Sequence, residues 1–341
     1  MSPAELARWQ RKIDDADALR FRDPGRSLHM SRQVLEDVAA ADGAGHGPWG
    51  RLQADAWGTL GSAYRAVGDL RRAEHCLQVA LAFLDEQSPS PECWARFAQR
   101  ASYLRCSQRR FAEALDLNDD VLRLYREQGL EQDAVAALVD RALFFGRAGR
   151  TAVAVELLER CLAELDAEAR PRAHLAAVHN MAYYRLRAAG PNQEADALAW
   201  LERAEALHRQ CPASLAQLQL QAMSGVTAIR FGRLEEGRVL LQGAHDGFCE
   251  LQARPEQMLS LFHLSELYVI EGDPTQDDLA QRNDEELLRL AGLIFPLLKE
   301  VELPRVARRA VLRFLSAARA RRVTLDLIHQ ATEELQQMVG A

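Results

Sequence analysis

Lysine is almost missing from these 341 residues. Of 42 basic side chains only Lys12 and Lys299 are lysines, so nearly every positive charge is a planar, permanently charged guanidinium. Aromatic residues are sparse as well, at 6%, although 48% of the chain is hydrophobic. Such a core is built from Ala and Leu, and with Arg and Glu these dominate the composition; all four favour helix. Alternating β-branched runs do not occur, which excludes a sheet-based fold. No stretch approaches the ~18 apolar residues of a membrane span. The opening Met-Ser-Pro-Ala-Glu-Leu-Ala-Arg-Trp lacks an apolar signal core. A soluble, cytoplasmic chain with no membrane association is the expectation.

Chemistry is equally scarce. There is no Gly-x-x-x-x-Gly-Lys-Ser/Thr, no Gly-x-Ser-x-Gly and no Gly-x-Gly-x-x-Gly after a strand. The six cysteines (Cys76, Cys93, Cys106, Cys161, Cys211 and Cys249) contain no Cys-x-x-Cys pair and read as thiols of a reducing compartment. Nine histidines are scattered. His174 and His179 are five apart and so do not stack on one helix face as i,i+4 ligands would. Neither a metal nor a cofactor is expected, and the reading is of a non-enzymatic protein. A net charge of −7 argues against direct nucleic-acid binding.

What is present is periodic. Turn signals fall at Gly68-Asp69, Arg109-Arg110, Gly149-Arg150, Ala189-Gly190, Gly232-Arg233 and Gly272-Asp273, at intervals of 41, 40, 40, 43 and 40 residues. A fixed period of this size is the mark of a solenoid. After each of the first five turns comes a small residue (Ala73, Ala114, Ala154, Ala197, Gly237), and seven residues later another residue of modest size (Ala80, Val121, Cys161, Ala204, Ala244). Helices approach within about 8–10 Å only where side chains are small. Asp23-Pro24 reads as an N-cap with Pro at the first helical position, and Thr324 as the N-cap of the last helix. Residues 43–50 read as a Gly-rich link, and Pro274 to Glu286 as an exposed acidic loop.

Trp57, Leu60, Gly61, Tyr64, Gly68, Asp69, Ala73 and Ala80 stand in the order and spacing of the tetratricopeptide repeat (TPR), and the chain resembles that family. Its units exceed the standard 34 residues by about six. In this they resemble the long TPR-like arrays of bacterial transcriptional activators and peptide-sensing regulators. The resemblance implies an all-α, right-handed α-α superhelix of about six hairpins. Residues 1–46 would form a degenerate N-terminal capping hairpin, 51–300 the repeat array and 301–341 C-terminal capping helices.

It also implies a concave groove lined by the first helix of each hairpin. Carried over by position, the groove residues are Asp55, Ser62 and Arg65; Arg96, Gln99 and Tyr103; Val139, Leu143 and Arg147; His179, Tyr183 and Arg187; Gln219, Ala222 and Arg230; and Phe262, Glu266 and Ile270. Arg65, Arg147, Arg187 and Arg230 would form a row able to hold carboxylates. Gly58 and Ser62 stand where the family's Lys/Asn clamp for peptide C-termini would need Lys and Asn, which disfavours a chaperone-tail receptor. A second surface, Arg305, Arg308, Arg309 and Arg313, belongs to a basic amphipathic stretch from Pro304 to Arg322, whose apolar stripe is read as Val306, Ala310, Val311, Phe314 and Leu315. The functional expectation is a protein- or peptide-binding adaptor or regulatory subunit in a bacterial cytoplasm. The alternative is a peptide-sensing regulator controlling a transcription factor or an effector enzyme such as a protease.

Overall fold

A computed structural model describes residues 3–20, 22–41, 48–85, 90–188, 193–210, 214–271 and 277–336. Sixteen helices and no strand occur among them. They are α1 (Pro3–Leu19), α2 (Pro24–Ala41), α3 (Pro48–Ala66), α4 (Leu70–Asp85), α5 (Pro91–Ser107), α6 (Phe111–Glu127), α7 (Glu131–Arg147), α8 (Thr151–Glu164), α9 (Pro171–Ala188), α10 (Glu194–Gln210), α11 (Ser214–Arg230), α12 (Leu234–Glu250), α13 (Arg254–Ile270), α14 (Asp277–Glu300), α15 (Arg305–Arg319) and α16 (Leu325–Gln336). Two compact units divide the chain, residues 1–216 and 217–340. The sequence reading set no boundary there.

One turn geometry joins most of these helices. Gly68 (φ 87°) and Gly149 (φ 81°) sit in the left-handed region. At the first of them, Gly68 N donates to Arg65 O at 3.0 Å and Asp69 N to Tyr64 O at 2.9 Å. The pair of bonds satisfies carbonyls that the helix end would otherwise leave open. The same pair recurs at residues 109–110, 129–130, 149–150, 232–233 and 252–253, between hairpins as well as within them. At Gln252 (φ 54°) an exposed side chain occupies the position that glycine fills at residues 68, 129, 149 and 232. An L-residue there costs about 1–2 kcal/mol, part of which glycine's own chain entropy would cancel. Gln252→Gly is therefore expected to stabilise the second unit by about 0.5–1 kcal/mol in urea unfolding, and a loss of stability would show that the side chain is held by contacts rather than tolerated.

The TPR positions act as their chemistry requires. Leu60, Ala73 and Ala80 are buried. Asp69 caps α4 by accepting from Arg72 N at 3.0 Å. Tyr64 Oη accepts from Arg32 of α2 at 2.7 Å. Of the small series, Ala73, Ala114, Ala154, Ala197, Ala80, Val121, Cys161, Ala204 and Ala244 are all essentially solvent-free. Two turns of helix separate the members of each pair, so both face the preceding helix. In the second unit Gly225 and Gly237 face each other closely, and a Cβ on Gly237 would lie 2.9 Å from Gly225 O.

Asp23 caps α2 (Arg26 N to Oδ1, 2.9 Å) and Thr324 caps α16 (Leu327 N to Oγ1, 3.4 Å). Other expectations change. Pro48–Gly50 belong to α3 rather than to a link, and residues 277–286 open α14 rather than extending a loop. Proline at the first helical position needs no hydrogen-bond donor, which suits Pro48 to start a helix. Val306 is 58% exposed, and the buried stripe of α15 is instead Ala307, Ala310, Val311, Phe314, Leu315 and Ala318. The proposed turns at Ala189-Gly190 and Gly272-Asp273, Cys211 and the link residues 43–47 lie outside the described residues.

Candidate functional site

Within the first unit, α1, α3, α5 and the start of α9 line a polar cavity of about 230 Å³. Asp14, Asp17 and Arg20 reach it from the C-terminal part of α1 and the turn after it, Ser62 and Arg65 from α3, Arg96, Gln99, Arg100 and Tyr103 from α5, and Arg172 from the first turn of α9. Helices far apart in sequence thus curve round one space.

The floor of the cavity follows from the repeat period. Residues 41 apart occupy equivalent places on successive first helices and touch. Arg96 Nη1 meets Asp55 Oδ2 at 2.8 Å, and Gln99 Nε2 donates to Asp140 Oδ2 at 2.8 Å. Arg100 Nη2 donates to Thr59 Oγ1 at 3.0 Å, and Arg147 Nη1 to Cys106 Sγ at 3.8 Å. Arg100 is buried and also pairs with Asp55, with Asp17 at 3.8 Å. It lies across α3 where Gly58 leaves room: a Cβ there would come 2.8 Å from Arg100 Nη1.

Burial would raise the carboxyl of Asp55, but Arg100 and Arg96 hold it below the usual range. Asp17 behaves alike, with Arg20 and Arg100 outweighing burial. Asp140 differs: burial pushes it up, and its donors, Tyr103 Oη and Gln99 Nε2, only partly offset this.

Arg65 is half-buried over the Tyr103 ring, its guanidinium carbon 5.3 Å from the ring centroid. No carboxylate among the described residues lies within salt-bridge distance of it. Burial and the charges of Arg147 and Arg20 lower its pKa to about 10. A second, more apolar cavity of about 570 Å³ shares the wall formed by Arg96 and Arg100, and is lined by Leu6, Leu52 and Phe97 among others.

The structure brings Arg65, Gln99 and Tyr103 together. Arg147 is buried against Cys106, and Val139 and Leu143 are core residues. Tyr183 is half-buried with Arg187 beside its hydroxyl, while burial raises its pKa. His179 was expected to line the groove. It is instead buried, its Nδ1 3.2 Å from Nε2 of the buried His208, and desolvation and His208 lower its pKa to about 3. A hairpin interior that admits no solvent leaves this imidazole pair neutral.

Arg230 is exposed at the end of α11 and belongs to the second unit. There Gln219 donates to Glu256 at 3.1 Å, Phe262 is core, and Glu266 accepts from His329 of α16 at 3.1 Å. A cavity of about 320 Å³ in that unit holds Arg238, Tyr268 and Arg289. Both its arginines are paired, Arg238 with Glu271 at 2.5 and 2.6 Å and Arg289 with Glu286 at 2.7 Å. On α15, Arg305, Arg308, Arg309 and Arg313 are exposed, and no described carboxylate lies within salt-bridge distance of them.

Sequence reasoning missed Asp14, Asp17 and Arg20 because α1 was read only as a cap. It missed Arg100, Asp140 and Arg172 because they stand off the family's lining positions. The period carried a usable signal, since Asp14 is 41 residues before Asp55 and Asp140 is 41 after Gln99.

No protein-family model matches this chain, and no curated protein matches it. Solved structures do. A Rap protein complexed with competence and sporulation factor aligns over 98% of this chain and 93% of its own, with TM-score 0.60 and 12% identity. A plasmid's Rap conjugation gene regulator in complex with the Phr* peptide aligns over 82% and 72%, with TM-score 0.60 and 11% identity. Aspartyl phosphate phosphatase F from Bacillus subtilis aligns over 100% and 97%, with TM-score 0.51 and 11% identity. At these identities the likeness concerns the backbone. The fold is a TPR-like α-solenoid. Surfaces of helical hairpins diverge while their packing persists.

Proposed function

We propose that this chain binds a peptide or an extended segment of a partner protein on the odd-helix face of its first unit, as an adaptor or regulatory subunit without a catalytic step of its own. The observation that carries this reading is the pair of adjoining cavities, one charged and one apolar, set between α1, α3 and α5. An extended segment offers alternating polar and apolar groups to such a pair. Gln99 and Tyr103 are fixed by Asp140, so little side-chain order is lost on binding. The charged cavity presents arginines and hydrogen-bond donors, and its carboxylates, Asp14 and Asp17, are paired with Arg96 and Arg20. The Phr* peptide in one compared structure supports the ligand class by fold analogy.

A random octapeptide library selected on the immobilised full chain tests the reading. The enriched peptide is then added for hydrogen exchange, and amide protection is expected along α3 and α5. Failure to enrich any sequence, or protection confined to α12–α16, refutes it.

A further inference from the structure

Resting on that reading, we infer that the charged cavity is an anchor for one carboxylate of the bound segment, gripped by Arg65 and Arg172. Arg20 pairs with Asp17, Arg96 with Asp14, Asp55 and Glu92, and Arg100 with Asp55 and Asp17. Each of these three arginines thus has its acids. Arg65 and Arg172 remain, both lining the cavity and neither within salt-bridge distance of a described carboxylate.

They are placed differently, and each placement matters. Arg65 is half-buried and held over the ring of Tyr103, whose hydroxyl is engaged by Asp140. Its fork is therefore pre-set, the condition under which a guanidinium binds a carboxylate through two parallel bonds. Arg172 is exposed at the mouth and contributes attraction from solvent. Burial together with Arg20 and Arg147 disfavours the charge on Arg65, and an incoming anion relieves that repulsion. Asp14 and Asp17 in the same lining repel a dianion more than a monoanion, which favours a carboxylate over a phosphate. The apolar cavity beyond the Arg96–Arg100 wall receives the side chain next to the anchor.

Two sources supply such a carboxylate, the C-terminus of a peptide and an Asp or Glu side chain. Four octapeptide pools separate them: free or amidated C-termini, each with Asp/Glu or with Asn/Gln in their place. Selection on the wild-type chain is expected to enrich only pools that retain a carboxylate. The enriched peptide should bind Arg65→Gln about 10- to 100-fold more weakly, as loss of one charge-assisted contact implies. Arg172→Glu changes only an exposed side chain and should weaken binding about tenfold, with a steeper loss at low salt. If amidation alone abolishes enrichment, the anchor takes a C-terminus; if the Asn/Gln exchange does, it takes a side chain. Equal enrichment of all four pools, with both variants binding as wild type, overturns the carboxylate anchor and leaves peptide binding standing. No enrichment from any pool overturns both. Arg65→Lys, which keeps the charge but not the fork, should recover part of the affinity; full recovery would mean that charge alone is read, not a forked contact.

Discussion

Tyr184→Ala is expected to cost the first unit about 3–5 kcal/mol, the range for deleting a fully buried aromatic ring. The ring is 1% exposed and packs with Val139, Ala142, Leu158 and Met181. It lies edge-on to Tyr183, with centroids 5.4 Å apart. Its hydroxyl donates to Leu143 O at 3.3 Å, so Tyr184→Phe should lose only about 1 kcal/mol. The ring also explains Gly146 on the neighbouring helix, where a Cβ would stand 2.1 Å from Tyr184 Cζ. Gly146→Ala should therefore cost about 1–3 kcal/mol in the wild-type background and much less beside Tyr184→Ala. Urea unfolding followed by exchange of the α7 and α9 amides is the measurement, because two compact units need not unfold together. Additive single-mutant costs would show that the ring and Gly146 do not meet.

Asp55→Ala should be comparably damaging, at about 3–5 kcal/mol, because it strands a buried guanidinium. Arg100 is 8% exposed, and without Asp55 it keeps Thr59 and a longer contact to Asp17. The pH dependence separates this loss from a mere packing defect. Asp55 and Asp17 have depressed folded-state values. Their contribution is complete above the usual Asp range near about 4, and is lost as pH falls through the lower folded values. Asp140 is raised, so its contribution has the opposite sign: complete below about 4 and lost as pH rises through its folded value. Asp55→Ala should flatten the acid limb of stability below about pH 4, and Asp140→Asn the limb above it. An acid limb unchanged by Asp55→Ala would place the pair's energy elsewhere.

The hairpins were legible in the sequence because they rest on local rules. Small residues at seven-residue spacing, an N-cap aspartate and a turn glycine each need only their near neighbours, and Ala73, Asp69 and Gly68 do what their types imply. Side chains on the lining helices were harder, because burial depends on the next repeat. Arg147 looked like a groove cation, yet Cys106 lies beside it and the pair is interior. Tyr183 and Tyr184 are adjacent in sequence, and only the closeness of Gly146 decides that the second is the packing residue. His179 became interior because His208, on the other helix of its hairpin, satisfies its ring nitrogen. Arg65, Gln99 and Tyr103 lie together, but Asp140, which holds Gln99 and Tyr103, could be found only through the 41-residue offset from Gln99.

Contact between residues one period apart also forbids monotony. Were two successive units copies of each other, every charged position on this face would confront its own duplicate: aspartate against aspartate at 55 and 96 if the first were copied, arginine against arginine at 59 and 100 if the second were. The chain instead alternates Asp55 with Arg96, Gln99 with Asp140 and Thr59 with Arg100. Each unit is thus a lock for the one that follows, and the order of the units is written into their chemistry. Copying the first of them over the second, with every helix and turn left intact, would set aspartate against aspartate and unmake the floor of the cavity.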